Sequence, residues 1–171
     1  MDVVKIDEGL WQCSSAHPDW REGSDWDRQV WSTYFEAAGA IVVIDPLVPE
    51  EATEGERFWR AFDRDVQRRD LPVAVLLTCA WHARSSDAFA QRHGATVWAP
   101  DPSAVTLDSP VHALGDGDRS VGGVLVCDSG APAPNREVAY RLDRRVLVVG
   151  DLIAAVDGRL TIAPAEWYRE T

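Results

Sequence analysis

The sequence predicts a layered α/β fold, in which mixed β-strands form the centre and helices cover the outer faces. A run of β-branched residues at 40–46 is typical of a strand that is buried on both faces. Residues 54–69 repeat apolar side chains at helical spacing. A strand, loop and helix follow at 73–93, and the second half of the chain is rich in short strands. This order of elements favours a layered α/β sandwich.

Three strands are predicted before the buried one, at 3–6, 10–13 and 30–35, with a polar loop at 14–27 before the third. Pro46 ends the buried strand, because proline cannot donate a backbone hydrogen bond. The helix at 54–69 has acidic residues near its start and basic residues at its end, which suits the helix dipole.

The next strand is predicted at 73–78, and a helix at 85–93 ends at Gly94. A brief strand at 96–98 precedes a loop-rich stretch at 101–117. Further strands are predicted at 123–128, 137–142 and 145–149, the last two joined by a hairpin turn at 143–144. Neither a linker nor a repeat interrupts this order, so one domain over 1–171 is expected.

Composition limits the partners that we expect. The chain has 171 residues and a net charge of −11, and this charge disfavours nucleic acid and anionic lipid surfaces. No apolar run approaches the roughly 20 residues that a membrane span requires. The first residues lack the features of a signal peptide, so a cytoplasmic location is the default expectation. Lys5 is the only lysine, a bias that indicates a GC-rich bacterial genome.

Three short motifs follow strands that are predicted to be buried. Asp45 lies near the end of the strand at 40–46, Thr78-Cys79-Ala80-Trp81-His82 ends and follows the next strand, and Gly150-Asp151 follows the last one. In this order and spacing, over roughly residues 10–152, the motifs resemble those of the metallo-β-lactamase superfamily. The resemblance implies a four-layer αββα sandwich, here shortened at its C-terminus, with a metal site at one edge between the two sheets. It also implies hydrolysis by a metal-bound hydroxide.

The same resemblance shows that most metal ligands of the family are missing. The family has His-x-His-x-Asp-His after the threonine, and only His82 matches that signature, at its last histidine. Asp151 matches the aspartate that bridges two ions. Ala131 stands where a further histidine is expected, and the chain ends before the unit that carries the last one. A stable catalytic zinc site needs three protein ligands, so a two-ion centre is not expected.

The candidate catalytic residues are Cys79, His82 and Asp151. Cys79 could act as a thiolate nucleophile beside His82, or it could be an inert buried thiol. His82 could equally be an ordinary loop histidine. A single zinc ion is the alternative to no cofactor, and its mixed sulfur, nitrogen and oxygen ligands would come from His82, Asp151, Cys79 and Asp128, or from Cys127 in place of Asp128.

Arg84 lies two residues beyond His82. As a cation it could pair with Asp45 and Asp151 and so replace the charge of the missing metals, or it could bind the carboxylate or phosphate of a ligand. The other candidate ligand-binding residues border the cleft in the resembling fold: His17, Trp20, Asp45 and Trp81. Packing is the simpler explanation for the His17–Trp20 loop and for the tryptophans.

Three hypotheses about function follow. In the first, the protein has no two-ion centre and binds a small molecule or a partner at the former active-site edge. In the second, it hydrolyses an ester, thioester or amide with one zinc ion or with Cys79 and His82. In the third, its role is structural or one of interaction, with a partner or a second copy in place of the missing C-terminal unit, and exposed strand edges would favour homodimerisation.

Overall fold

The computed structural model describes residues 1–24, 26–128, 130, 136–143, 145–156 and 159–162. Their centre is a seven-stranded sheet whose strands lie side by side in chain order. These strands are β1 Asp2–Asp7, β2 Leu10–Ala16, β3 Gln29–Ala37, β4 Ala40–Ile44, β5 Val73–Leu76, β6 Thr96–Ala99 and β7 Val111–Ala113. β1 to β4 pair antiparallel, and β4 to β7 pair parallel. The change of direction falls where helical crossovers replace short turns, because only a crossover can return the chain to a parallel neighbour.

Two helices cover one face of this sheet. They are α1, Ala52–Arg69, and α2, Ser86–His93. The carboxylate of Glu51 accepts hydrogen bonds from two backbone N–H groups in the first turn of α1, and α2 ends at Gly94 in the left-handed conformation. Phe62 of α1 and Phe89 of α2 meet edge to face over the sheet, with ring centroids 5.0 Å apart.

A second, three-stranded sheet lies on the other face. It consists of β8 Leu125–Asp128, β9 Val138–Leu142 and β10 Val146–Val148, antiparallel and in the order β10-β9-β8. The alternation of side chains along β4 supplies both cores, because Ile41 and Val43 pack under the helices while Val42 and Ile44 pack against the second sheet. A separate antiparallel hairpin follows, formed by β11 Ile153–Val156 and β12 Arg159–Ile162.

The layered α/β sandwich is confirmed, and the described residues form three of its layers: helices, seven-stranded sheet and three-stranded sheet. No helix lies beyond the second sheet within those residues. None of the described helices combines the length and the apolar composition that crossing a membrane requires.

Three details differ from the sequence-based expectation. β7 lies inside the stretch that was expected to be loop. The sequence did not predict it because it is only three residues long and shows no periodicity. β8 begins at Leu125 rather than at 123, since Gly122 and Gly123 both have positive φ and form a turn. β11 and β12 were not predicted. The expected turn at 143–144 lies only partly within the described residues, where Asp143 has a positive φ.

Candidate functional site

The parallel strands β4 and β5 end at the same edge of the sheet and bring Asp45 and Thr78 together. The carboxylate of Asp45 accepts hydrogen bonds from the backbone N–H of Thr78 at 2.8 Å and from its hydroxyl at 2.7 Å. Both residues are buried. A buried carboxylate is retained only where donors satisfy it, and Thr78 provides two of them from the neighbouring strand end.

The backbone at Asp45 is held in an unusual conformation, with φ at 50°. This conformation costs about 1–3 kcal/mol for a residue other than glycine, so the surroundings must enforce it. The hydroxyl of Ser32 on β3 donates to the carbonyl of Asp45 at 2.9 Å and accepts from the N–H of Leu47 at 2.9 Å. The turn after β4 is therefore anchored on both sides of Asp45.

His82 lies against this pair at the end of a short 3-10 helix, Ala80–His82. Its Nδ1 is 2.9 Å from the hydroxyl oxygen of Thr78 and 3.1 Å from Oδ2 of Asp45, and its Nε2 is 3.3 Å from Oδ2 of Asp151. Burial opposes the charged imidazolium, but the carboxylates of Asp45 and Asp151 outweigh it and raise the pKa of His82 well above its usual value.

Hydrogen-bond accounting determines which nitrogen of His82 always carries a hydrogen. The hydroxyl of Thr78 has one hydrogen and donates it to Asp45, whose carboxylate can only accept. Nδ1 therefore faces two oxygen acceptors and must itself be the donor. Nε2 is therefore the ring nitrogen at which another cation can take the place of a hydrogen.

Gly150 and Asp151 follow β10 and close the site from the second sheet. Asp151 is at the rim, with its side chain 55% exposed, and accepts a hydrogen bond from the indole N–H of Trp81 at 3.1 Å. Burial acts to raise its pKa, but hydrogen bonds from His82 and Trp81 lower the pKa of Asp151 to about 2. A Cβ at Gly150 would lie 2.5 Å from the hydroxyl oxygen of Thr78, so glycine is required for this close approach.

Cys79 is buried between Thr78 and the 3-10 helix. Burial raises the pKa of its thiol to about 11, although the hydrogen bond with His82 acts in the opposite direction. A thiol in this state is protonated near neutral pH and is not accessible to a substrate, so the geometry favours the structural alternative over the thiolate nucleophile.

Glu137 is a site residue that the sequence analysis did not identify. It lies directly before β9, is fully buried, and accepts a hydrogen bond at 2.8 Å from the backbone N–H of Leu152. Burial above all, with the nearby charge of Asp151, raises the pKa of Glu137 to about 7. The available signal was weak: one charged residue in front of an apolar strand.

Three potential metal donors converge at this edge. One ligand atom each of Cys79, His82 and Asp151 lies within 4.8 Å of the other two, and within the described ranges no other histidine, cysteine or carboxylate joins them. Asp128 is elsewhere, where its carboxylate accepts from the N–H of Gly130 and pairs with Arg136. Ala131, which stands where the family has a further histidine, lies outside the described residues.

The remaining histidines do not supply the missing ligands. The chain has four histidines in all. His93, the last residue of α2, packs against Phe62 of α1, and His112 of β7 packs at a tilt on Trp98 of β6. The donor set therefore does not fit a two-ion centre, whereas three mixed donors fit a single ion of the zinc type.

A cleft of about 330 Å³ adjoins the rim. Its lining includes three of the predicted ligand-binding residues, His17, Trp81 and Arg84, and the full set is His17, Pro18, Asp19, Leu47, Val48, Glu50, Trp81, Arg84 and Ser85. Asp45 and His82 are buried beside the cleft rather than in its lining.

Within the described residues Arg84 forms no direct ion pair with the carboxylates of Asp45 and Asp151, although its charge acts to lower the pKa of Asp151. Its Nη1 donates to the backbone carbonyls of Trp31 and Asp45, both at 3.2 Å, and it is His82 that contacts the two carboxylates. Within the described part of the chain, the guanidinium has no carboxylate partner and its buried Nε has no acceptor. Arg84 also has a positive φ of 38°.

In the loop before β3, His17 lines the cleft, whereas Trp20 packs within the loop. Trp20 is not in the cleft lining: its indole N–H donates to the carbonyl of Trp26 at 2.9 Å, and Arg28 lies over its ring. His17 accepts from the backbone N–H of Asp19 at 3.2 Å and packs edge to face on Trp26. Burial first, and then the charge of Arg84, lower the pKa of His17, which lines the cleft.

No family model and no curated protein matches this chain. Solved structures do match. A metallo-β-lactamase from Pontibacter korlensis is 19% identical with a TM-score of 0.63, over 91% of this chain and 74% of that one. A metallo-β-lactamase family protein from Thermus thermophilus is 16% identical with a TM-score of 0.64, over 88% of this chain and 61% of that one.

A third match is a β-lactamase domain protein from Burkholderia ambifaria, 15% identical with a TM-score of 0.60, over 90% of this chain and 55% of that one. The chain thus spans 55% and 61% of the lengths of the Burkholderia and Thermus proteins. These similarities show that the chain has the metallo-β-lactamase fold.

Proposed function

We propose that this chain, which has the metallo-β-lactamase fold, binds a small carboxylate-bearing molecule in the 330 Å³ cleft at its former catalytic rim and does not carry out two-ion hydrolysis. The observation that supports this most directly is Arg84. Arg84 lines the cleft, and within the described residues its guanidinium forms no ion pair with a carboxylate. A cation at the wall of a cleft without a paired anion favours an anionic ligand, because hydrogen bonds between charged partners are stronger than those between neutral groups.

The position of Arg84 is enforced rather than incidental. Its positive φ is unfavourable for a side chain of this size, and Nη1 is tied to two backbone carbonyls. Strained residues of this kind cluster at ligand sites, where the surroundings hold them in place. The planar guanidinium matches a carboxylate or a phosphate with two parallel hydrogen bonds.

The rest of the lining favours a carboxylate over a phosphate. Asp19 and Glu50 also line the cleft, and their charges oppose a dianion more than a monoanion. Leu47, Val48 and the indole of Trp81 provide an apolar wall for the remainder of the molecule. Trp81 is 45% exposed and is available for contact with a flat ring. An aryl or alkyl carboxylate fits this combination.

Binding of phenylacetate, measured by isothermal titration calorimetry and by ligand-observed NMR, tests the proposal. The protein is first treated with a chelator, so that no metal ion contributes to carboxylate binding. We expect phenylacetate to bind and phenylacetamide, which lacks the charge, to bind at least about tenfold more weakly, since a charge-assisted hydrogen bond contributes about 1.5–3 kcal/mol.

Arg84→Gln should raise the dissociation constant of phenylacetate by about tenfold or more. Arg57→Gln is the matched control, because Arg57 lies on α1 with its side chain 76% exposed, and its substitution removes the same charge elsewhere. Arg84→Lys keeps the charge but not the planar fork, so its dissociation constant for phenylacetate should lie between that of the wild type and that expected for Arg84→Gln. It provides the comparison if Arg84→Gln disturbs the fold. Equal binding of the acid and the amide, or equal affinity in the Arg57 and Arg84 variants, would refute the proposal.

A further inference from the structure

We infer that Cys79, His82 and Asp151 form a site for a single divalent cation of the zinc class, bound through Sγ, Nε2 and a carboxylate oxygen. This site is distinct from the carboxylate cleft, and neither proposal depends on the other. It is also not the multi-histidine site that the fold resemblance implies, because its sulfur donor comes from the residue directly after Thr78.

The first argument is the orientation of His82. Its Nδ1 donates to Thr78 and Asp45, at 2.9 and 3.1 Å, so its Nε2 faces the other way, towards Asp151. Metal-binding histidines characteristically donate their second ring N–H to a carboxylate, which fixes the tautomer and the plane of the ring. Asp45, itself anchored by two hydrogen bonds from Thr78, provides that support.

The second argument is the chemistry and spacing of the donors. Three ligand atoms within 4.8 Å of one another require only small adjustments to surround an ion at the roughly 2.0–2.3 Å bond lengths of zinc. Sulfur, imidazole nitrogen and carboxylate together suit zinc-type ions rather than magnesium or calcium, which take oxygen ligands. Three protein ligands leave a fourth position for water.

The third argument is access. Cys79 and His82 are buried, but Asp151 is half exposed at the rim, so an ion can reach the site from solvent on that side. On binding, the thiol of Cys79 releases its proton to solvent, and the ion is bound by Nε2 in its unprotonated form while Nδ1 keeps its hydrogen.

Cobalt(II) is the probe for the test, because a thiolate ligand to cobalt gives a near-ultraviolet charge-transfer band that oxygen and nitrogen ligands do not. Chelator-treated protein is titrated with Co²⁺ alone. We expect saturation at one equivalent with a thiolate band, and displacement of the band by one equivalent of Zn²⁺. With Zn²⁺ bound, ¹H–¹⁵N spectra of the imidazole of His82 should show that Nε2 has lost its hydrogen and Nδ1 has kept it.

Cys79→Ser should abolish the thiolate band, and Asp151→Asn should weaken binding at least tenfold. Cys127→Ser is the matched control, since Cys127 is the partly exposed thiol on β8 and lies outside the donor set. If Cys79→Ser fails to fold, as judged by circular dichroism, Asp151→Asn, which changes a half-exposed rim residue, provides the comparison. Absence of stoichiometric binding, a band that persists in folded Cys79→Ser, or unchanged affinity in Asp151→Asn would each overturn the inference.

Discussion

Gly150→Ala is the substitution that most directly tests how the two sheets meet at the site. A Cβ at residue 150 would lie 2.5 Å from the hydroxyl oxygen of Thr78, 2.7 Å from Oε1 of Glu137 and 3.0 Å from Cβ of Thr78. Ordinary contacts of a Cβ begin at about 3.4 Å, so a single methyl group overlaps two side chains at once.

Neither neighbour can move away without loss. The hydroxyl of Thr78 is held at 2.7 Å from Asp45, and the carboxyl of Glu137 is held by the N–H of Leu152. Overpacking of a rigid site costs typically about 1–3 kcal/mol, and displacement of the Thr78 hydroxyl adds a lost buried hydrogen bond of similar size. We therefore expect Gly150→Ala to lower the free energy of unfolding by about 2–5 kcal/mol.

Urea unfolding followed by circular dichroism measures this loss as a lower midpoint at constant slope. Gly39→Ala is the control, because Gly39 lies in the turn between β3 and β4 and has no positive φ, and a methyl group there would meet no described atom within 4 Å. Its unfolding free energy should stay within about 1 kcal/mol of the wild type. Similar midpoints for the two alanine variants would show that Gly150 does not lie against Thr78 and Glu137 as described.

Two further predictions concern buried groups near the site. Because the pKa of Glu137 is raised to about 7 from an ordinary value of 4.5, the folded protein holds a proton that the unfolded chain releases. Stability in chelator should therefore fall as pH rises from about 4.5 to 7, by at most about 1.4 kcal/mol per pH unit. Glu137→Gln should flatten this fall in urea unfolding, and an unchanged slope would contradict it. Tyr140→Phe removes the 2.6 Å hydrogen bond to the carbonyl of Leu77 and should cost about 1–3 kcal/mol, more than Tyr34→Phe, whose hydroxyl makes only a 3.4 Å contact. Equal losses of stability in the two phenylalanine variants would refute the argument.

The framework of the fold could be predicted because its strongest signals are local. The β-branched run at β4 and the apolar stripe of α1 each appear within one segment, and both elements form where expected. β7, β11 and β12 could not be predicted in this way. Each is only three or four residues long, and β7 depends on pairing with β6 rather than on its own pattern.

The sequence predicted most of the residues that form the site, but not which groups each of them contacts. The sequence placed Asp45, His82 and Asp151 at strand ends, and the structure brings them together in one chain of hydrogen bonds. It could not show that Arg84 would turn towards the carbonyls of Trp31 and Asp45, because that contact depends on a left-handed backbone conformation at Arg84. Glu137 was missed for a similar reason, since its burial arises from the packing of the second sheet onto the first.

The cation site at His82 meets an electrostatic requirement of the two carboxylates beside it. Asp45 and Asp151 are two carboxylates on opposite sides of a mostly buried imidazole, and such an arrangement is stable only with a positive charge between them. A proton on Nε2 of His82 supplies that charge, and a divalent cation bound by Nε2, Asp151 and Cys79 would supply it equally well. Raising the pH should therefore strengthen cation binding at His82 by removing the competing proton, while the affinity of Arg84 for phenylacetate, measured in chelator, should not depend on that proton.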